Sequence, residues 1–126
     1  MNLSLSQEHL TVCQLAPDAP LPPWATGSAA FMSITRTAEE LSIVCLESGV
    51  PADVKQERGW RVFKVDGPLD FGLTGVMASI ATPLAQSGIS LFSVATYNTD
   101  YVLVKESKLS DAVKALRAAG HTIRVE

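Results

Sequence analysis

The spacing of apolar positions predicts a chain of short strands with two amphipathic helices in its second half. Apolar residues at every second position are typical of half-buried strands, and apolar residues every three or four positions are typical of a helix. The strand pattern occurs at residues 10–15, 31–35, 41–46, 60–65, 90–96, 101–105 and 121–125. The helix pattern occurs at residues 73–84 and 109–116. We therefore expect an α+β protein dominated by its sheet.

The ends of the two predicted helices are marked by residues that start or stop helices. Gly88 and Gly120 follow the helical stripes and fit helix stops. Ser107 or Ser110 is the expected N-cap of the second helix. Pro83 lies inside the first stripe, where a proline is expected to kink the helix or restart its last turn.

From residue 60 onward the predicted order is β-α-β-β-α-β. This order is the split βαβ arrangement of ferredoxin-like domains, in which one antiparallel sheet carries two helices on one face. Residues 60–126 are therefore predicted to form a complete domain. The order alone leaves open whether the last strand, 122–125, completes this domain or crosses to the preceding unit.

Residues 1–59 are predicted to form a smaller unit with strands 10–15, 31–35 and 41–46. The segment APDAPLPPWATGSAA contains four prolines, which exclude a helix interior and a central strand. We expect an ordered loop there, with Leu21 and Trp24 docked on the unit. The polar segment ESGVPADVKQERG is expected to be a loop with at most one helical turn.

The two halves of the chain share a hairpin-like stretch. Residues 31–46 align without a gap on residues 91–106 at a shift of 60, which places Ser33 on Ser93 and Glu40 on Asp100. Repeated stretches of this kind favour duplication of one structural unit. Because the first copy lacks clear helical stripes, we expect it to be a reduced version of the second.

Composition narrows the class of protein. Hydrophobic residues make up 47% and charged residues 18% of the 126 residues, with a mean hydropathy of +0.20. The charged share is below the typical quarter, which favours a surface partly covered by another subunit. A net charge of -3 without a basic cluster argues against nucleic acid as a partner. No apolar run approaches the roughly 18 residues of a membrane span, and MNLSLSQEHL lacks signal-peptide features, so a cytoplasmic location is expected.

The sequence offers little for metal or catalytic chemistry. Cys13 and Cys45 lie in apolar, strand-like runs and are expected to be reduced and buried. His9 and His121 stand near opposite ends of the chain and are expected at the surface or at strand edges, so no metal site or cofactor is predicted. No Ser/His/Asp grouping or P-loop is present. A non-enzymatic protein is predicted, and a small enzyme acting on an amino-acid derivative is the least favoured alternative.

The hairpin SVATYNTDYVLV has an unusually polar turn. A hairpin turn needs one or two turn-forming residues. This one has three hydroxyls, an amide and a carboxylate in five consecutive positions: Thr96, Tyr97, Asn98, Thr99 and Asp100. One interpretation is that these residues line a ligand site. The other is that Asn98 and Asp100 cap a turn and that the aromatic residue packs against a neighbouring subunit.

Three separated segments, FMSITRTAEELSIVC, FGLTGVMASIATPLA and SVATYNTDYVLV, resemble small bacterial proteins with two ACT domains in tandem. That group is related to the regulatory domains of aspartokinases and to the CASTOR arginine sensors. The resemblance implies paired ACT folds without a catalytic domain, a homodimer, and an amino acid bound at an interface between ACT units. Binding would favour one packing of the units, and an unidentified protein partner would detect it. A ligand-free dimerisation or interaction module of the same fold is the alternative.

The resemblance also implies where the ligand binds. The contacts would come from the loop that opens the first helix and from the end of a facing strand, at Gly72, Leu73, Thr74, Gly75, Val76, Thr96, Tyr97, Asn98, Thr99 and Asp100. A helix N-terminus suits the carboxylate of an amino acid, and an acidic side chain suits its ammonium group. The open alternative for Gly72 and Gly75 is that they only permit a tight turn and close packing.

Overall fold

The computed structural model describes residues 1–27, 30–70 and 72–126. The chain divides into two compact units. The larger unit contains Met1–Gln7 and Trp60–Glu126, and the smaller unit contains Glu8–Gly59. The sequence analysis placed residues 1–7 with the smaller unit, whereas their contacts lie within the larger one.

The strands and helices follow the order that the apolar pattern predicts, with β1 and α1 in addition. In chain order they are β1 (Asn2–Leu5), β2 (Leu10–Leu15), α1 (Pro23–Thr26), β3 (Ser33–Arg36), β4 (Leu41–Leu46), β5 (Gln56–Val65), α2 (Val76–Gln86), β6 (Phe92–Ala95), β7 (Asp100–Lys105), α3 (Leu109–Ala118) and β8 (Thr122–Val125). Single 3-10 turns follow β4 and β7, at Glu47–Gly49 and Glu106–Lys108.

The larger unit has the predicted ferredoxin-like order with one strand added. Its sheet runs β6-β7-β5-β1-β8, and β7 is antiparallel to both β5 and β6. Strand β1 lies between β5 and β8, antiparallel to the first and parallel to the second. The last strand thus belongs to the larger unit, although β1 separates it from β5. The sequence analysis did not predict β1.

One face of this sheet packs against α2 and α3. The core contains the apolar residues Leu3, Leu5, Phe63, Val65, Ile80, Leu84, Val102, Val104, Leu116 and Ile123. Ile80 and Leu84 are fully buried, as predicted for the inward stripe of the first helix, whereas Leu73, the first residue of that stripe, is 54% exposed and precedes the helix, which begins at Val76. Each such side chain contributes roughly 1.5–3 kcal/mol to the free energy of folding. This packing fixes the first turn of α2 against the sheet.

The helix ends agree only in part with prediction. Gly88 and Gly120 have φ values of 71° and 98° just beyond the ends of α2 and α3, which confirms both as helix stops. The N-cap of α3 is Lys108, which makes no side-chain cap hydrogen bond, so the prediction of Ser107 or Ser110 is wrong. The reason is that the 3-10 turn at Glu106–Lys108 leads directly into the helix and leaves Ser110 inside it.

The smaller unit contains β2 and β3 on either side of β4, both antiparallel to it. Its core contains Cys13, Ala25, Leu41, Ile43, Cys45 and Val50. Trp24 packs against this core as expected, but Leu21 is 48% exposed, so the predicted docking of Leu21 is wrong. The proline-rich loop ends in the one-turn helix α1, whose first residue is Pro23, a position where proline is tolerated. The segment after β4 forms the expected single turn and then enters β5 at Gln56, earlier than predicted.

The two hairpins correspond, but at a shift of 59 rather than 60. Arg36 pairs with Leu41 across the first turn and Ala95 with Asp100 across the second. The amide of Thr37 donates to the carbonyl of Glu40, and that of Thr96 to the carbonyl of Thr99. The gapless alignment at 60 is therefore wrong by one residue, and a slip of one residue exchanges the two faces of a strand. In the corrected register, Leu41 of the first hairpin is the equivalent of Asp100 in the second.

Candidate functional site

The larger unit contains a cavity of about 210 Å³ between the β5–α2 loop and the β6–β7 turn. The loop and the start of α2 contribute Leu69, Asp70, Leu73 and Val76, and the turn contributes residues 95–100. Phe71 lies outside the described residues. The cavity is smaller than the roughly 300–1,000 Å³ of pockets for drug-sized ligands, so it fits a small metabolite.

The β6–β7 turn is built by Thr96. Its hydroxyl donates to the carbonyl oxygen of Thr99 at 3.0 Å and accepts the amide of Thr99 at 3.3 Å. The amide of Thr96 donates to the same carbonyl at 2.9 Å. Thr37 makes the corresponding contacts with Glu40 in the smaller unit. The hydroxyl of Thr96 therefore shapes the turn.

Two hydrogen bonds tie the turn to the end of β5 and to the β5–α2 loop that follows it. Thr99 is 4% exposed, and its Oγ1 donates to the carbonyl oxygen of Val65 at 2.5 Å. The amide of Leu69 donates to the carbonyl oxygen of Asn98 at 2.7 Å. A Cβ atom on Gly67 would lie 2.9 Å from the Leu69 nitrogen and 3.3 Å from the Asn98 oxygen. The backbones thus approach each other at a distance that requires glycine at position 67.

The helix α2 begins at the cavity without a side-chain cap. Gly75 is its N-cap, with a φ of 77°, and glycine has no side chain to satisfy the first amides. The first backbone bond into the helix runs from the Ser79 amide to the Gly75 carbonyl. The amides that precede Ser79 in the helix give this end a partial positive charge. Because Val76 lines the cavity, this charge lies beside it.

Two carboxylates line the cavity. Asp100 is half-buried at the first position of β7. Asp70 is exposed, and its Oδ1 accepts the Gly72 amide at 2.7 Å. Among the described lining residues, the charged side chains are these two acids. The side chains of the cavity are therefore negative, while the helix end beside them is partly positive.

Large apolar side chains stand exposed at the rim of the cavity. Tyr97 is 81% exposed and Leu73 is 54% exposed, and both line the cavity. Exposed apolar groups around a concave site mark surfaces that bind a ligand or a partner.

The structure gathers most of the residues suggested by sequence at one place. Leu73, Val76, Thr96, Tyr97, Asn98, Thr99 and Asp100 line the cavity. Gly72, Thr74 and Gly75 lie in the same loop but outside the lining. Asp70, the first residue of the predicted ligand loop, also lines the cavity, whereas Leu69 and Ala95 line it without having been predicted as ligand contacts. Only their position in the sequence could have indicated them, because each adjoins a segment that was predicted to contact the ligand.

The cysteines and histidines lie elsewhere. Cys13 and Cys45 are free and buried, as expected. Cys45 donates a hydrogen bond to Cys13, and this bond, followed by burial, raises the pKa of Cys45. His121 is 7% exposed and directly precedes β8, a strand at the edge of the sheet, so the expected surface position is wrong for it while the expected strand-edge position fits. In the described part of the chain, no three His, Cys, Asp or Glu side chains come together as a metal site. Within the same residues, no helix has the length and apolar character needed to cross a membrane.

The fold is that of a small α+β domain of the ferredoxin-like class. Residues 55–118 match the ACT domain family, and residues 8–53 match a second family described as an N-terminal domain. The chain therefore belongs to the ACT domain family. It is 32% identical over 97 residues to the cytosolic arginine sensor for mTORC1 subunit 1 of Bos taurus, covering 68% of this chain and 30% of that protein. The chain thus spans about a third of the length of this curated relative.

Solved structures agree with this assignment. A structural-genomics protein from Agobacterium tumefaciens superposes with a TM-score of 0.93 at 38% identity, covering 99% of this chain and 92% of that one. The regulatory subunit of aspartate kinase from Thermus thermophilus, in its ligand-free form, has a TM-score of 0.61 at 12% identity, covering 95% and 98%. At that identity the second likeness establishes the fold alone. The chain is a small ACT protein that has a sequence relative among the arginine sensors and shares the fold of the aspartokinase regulatory subunit.

Proposed function

We propose that the larger unit binds a free amino acid in the cavity between the β5–α2 loop and the β6–β7 turn, and that occupancy of this site regulates a protein partner. The observation that carries the proposal is that the uncapped start of α2 and the Asp100 carboxylate both border one cavity. The helix amides would receive the ligand's carboxylate and Asp100 its ammonium group. The partial positive charge of the helix end and the negative charge of Asp100 match the two charges of the zwitterion.

A basic amino acid fits this site best. Asp70 and Asp100 supply two acidic side chains at the cavity, so a second positive charge on the ligand would find a second carboxylate. An acidic side chain would instead face like charges. The curated relative from Bos taurus is named as an arginine sensor, which supports the same preference.

A second copy of the chain is proposed to cover the rim of the cavity. Tyr97 and Leu73 are exposed there, and their burial against a partner would remove apolar surface from water. A ligand enclosed in this way would stabilise the dimer, because it binds more tightly to the covered form than to the open one. The same exposed rim favours the alternative, a dimerisation module that binds no ligand.

The corrected repeat register predicts one ligand site per chain. The smaller unit has Leu41, which is fully buried, at the position of Asp100. It therefore lacks the carboxylate proposed to hold the ammonium group. Calorimetric titration is expected to give one amino acid per chain, whereas two would contradict this assignment.

A thermal-shift panel of the twenty amino acids tests the proposed function. A ligand at 100 times its Kd stabilises the folded protein by about 2.7 kcal/mol, a shift of several degrees in Tm. Asp100→Asn is expected to reduce the shift at the same ligand concentration to less than half, because loss of a charge-assisted hydrogen bond removes roughly 1.5–3 kcal/mol of binding free energy. Asp111→Asn, in the exposed first turn of α3, is the matched control and should respond like the wild type. A panel without any shift, together with a dimer in light scattering, would favour the ligand-free module.

A further inference from the structure

We propose that Ser4 is a positioning residue for the ligand cavity: through Asp66 it holds the β5–α2 loop in the conformation that forms one wall of the site. This inference rests on the proposed function, since it assigns a role to a residue outside the cavity by its effect on the wall. Ser4 belongs to β1, the strand added to the ferredoxin-like order.

Ser4 is a buried polar residue whose side chain lies on the sheet face opposite to that of Leu3 and Leu5, with Lys64 and Arg124 as its cross-strand neighbours. It is 2% exposed, and its neighbours Leu3 and Leu5 belong to the core of the larger unit. It also lies in an interior strand, between β5 and β8. Burying a hydroxyl is unfavourable unless it is hydrogen-bonded, so the bonds made by Ser4 explain its presence.

Both bonds of Ser4 involve ionised partners. Its Oγ donates to Asp66 Oδ1 at 2.6 Å and accepts a bond from Arg124 Nη2 at 2.9 Å. Hydrogen bonds with a charged partner are shorter and stronger than neutral ones. Arg124 lies directly opposite Ser4 in β8, and the Asp66 amide donates to the Asn2 carbonyl at 2.8 Å. Asp66 is therefore fastened to β1 by its side chain and by its backbone.

Asp66 lies just before the part of the β5–α2 loop that lines the cavity. Leu69 and Asp70 line the cavity and follow Asp66 by three and four residues. The Leu69 amide meets the Asn98 carbonyl at 2.7 Å, so the loop is held at Asp66 and at Leu69. Without the Ser4 bond, the side chain of Asp66 is no longer fixed, and the residue is held to β1 by its backbone bond to Asn2 alone. A displacement of Asp66 would thus be transmitted to Leu69 and Asp70.

The test compares variants of this network with a matched control. Ser4→Ala and Asp66→Ala remove the bond, and Asp66→Asn keeps an acceptor oxygen for the Ser4 hydroxyl. Thr11→Val is the control, because Thr11 is a fully buried hydroxyl in the smaller unit that bonds Gln56 and Glu57. The measurements are the hydrogen-exchange rate of the Leu69 amide in the ligand-free protein and the Kd for the amino acid that stabilises the wild type.

Both alanine variants are expected to speed Leu69 exchange and weaken binding by about tenfold. Asp66→Asn should stay near the wild type in both measurements, and Thr11→Val should lower Tm without changing either. Wild-type exchange at Leu69 in both alanine variants would overturn the proposal, as would equal effects from Thr11→Val. If Ser4→Ala does not fold, the measurements on Asp66→Ala decide whether the proposal holds. Asp66 is only half-buried, so its replacement disturbs the core less. If no amino acid binds the wild type, the proposed function fails, while the exchange rate still tests the positioning role.

Discussion

His121 takes the hydrogen-bonding place that Pro83 leaves vacant in α2. Proline has no amide hydrogen, so the carbonyl of Ser79, four residues earlier, loses its normal helical donor. The Nε2 atom of His121 lies 2.8 Å from that carbonyl oxygen. Because a carbonyl only accepts, Nε2 carries the hydrogen. His121, which directly precedes β8, thus supplies the hydrogen bond that the backbone of α2 lacks at Pro83.

We expect His121→Ala and Pro83→Ala to be coupled. In the wild type, His121→Ala should cost roughly 1–3 kcal/mol of unfolding free energy, because it leaves the Ser79 carbonyl without this donor. In the Pro83→Ala background, residue 83 supplies an amide hydrogen, and the cost should fall. Urea denaturation of the four proteins gives the coupling, expected at about 1 kcal/mol. Costs that simply add would show that the imidazole only fills space.

The second prediction concerns Thr99, which joins the turn to β5. Thr99→Val keeps the shape of the buried side chain but removes the donor to the Val65 carbonyl. A loss of roughly 1–3 kcal/mol in unfolding free energy is expected. Thr99→Ser retains the hydroxyl and should recover most of it. If the valine and serine variants are equally stable, the hydroxyl contributes nothing to the turn.

The strands and helices were largely predictable from sequence because burial imposes a periodic pattern. Strands β2 and β4 were predicted with the bounds observed, since each is a short apolar-rich run that lies between turn-forming segments. Strand β1 was missed because four residues, NLSL, are too few to display a period, and because all but the first are buried. Its place in the sheet depends on partners about sixty or more residues away, Phe63–Val65 and Thr122–Val125, which local sequence does not encode.

The candidate site was predictable in position but not in detail. The polar turn marked one wall, yet the hydroxyls of Thr96 and Thr99 proved to hold backbone together. Residue matches such as Ser33 with Ser93 led to the wrong repeat register. The correct register depends on turn hydrogen bonds made by Thr37 and Thr96, which a side-by-side comparison of letters does not display.

The third prediction separates the role of Gly75 at the site from its backbone conformation. Gly75 and Gly88 have φ values of 77° and 71°, and a Cβ atom on either would meet nothing within 4 Å. Alanine at either position should therefore cost about 1–2 kcal/mol through the left-handed backbone alone. Only Gly75→Ala should also weaken amino-acid binding, because it disturbs the helix end beside the cavity. Equal affinities for the two variants in calorimetry would remove the α2 amides from the proposed site.

The last prediction is the pH dependence of stability that arises from Cys13 and Cys45. The pKa of Cys45 is raised above its ordinary 9.0 because its thiol donates to Cys13 and is buried, and the pKa of Cys13 is lowered because it accepts that bond. Well above pH 9 the unfolded chain has lost both thiol protons, while the folded protein retains the one on Cys45. The folded state then binds more protons, so stability must fall as pH rises, by about 1.4 kcal/mol per pH unit.

Below pH 9 the sign reverses, because the lowered pKa of Cys13 makes the folded state the one with fewer protons. Stability from the pair should therefore rise with pH up to about 9 and decline beyond it. Urea denaturation between pH 7 and about 10.5 in the presence of a reductant measures this profile. Cys45→Ala removes the bond and should flatten the decline, although it lowers stability throughout by leaving a cavity. An equally steep decline in that variant would assign the alkaline loss to other groups, since the thiol pair is then broken.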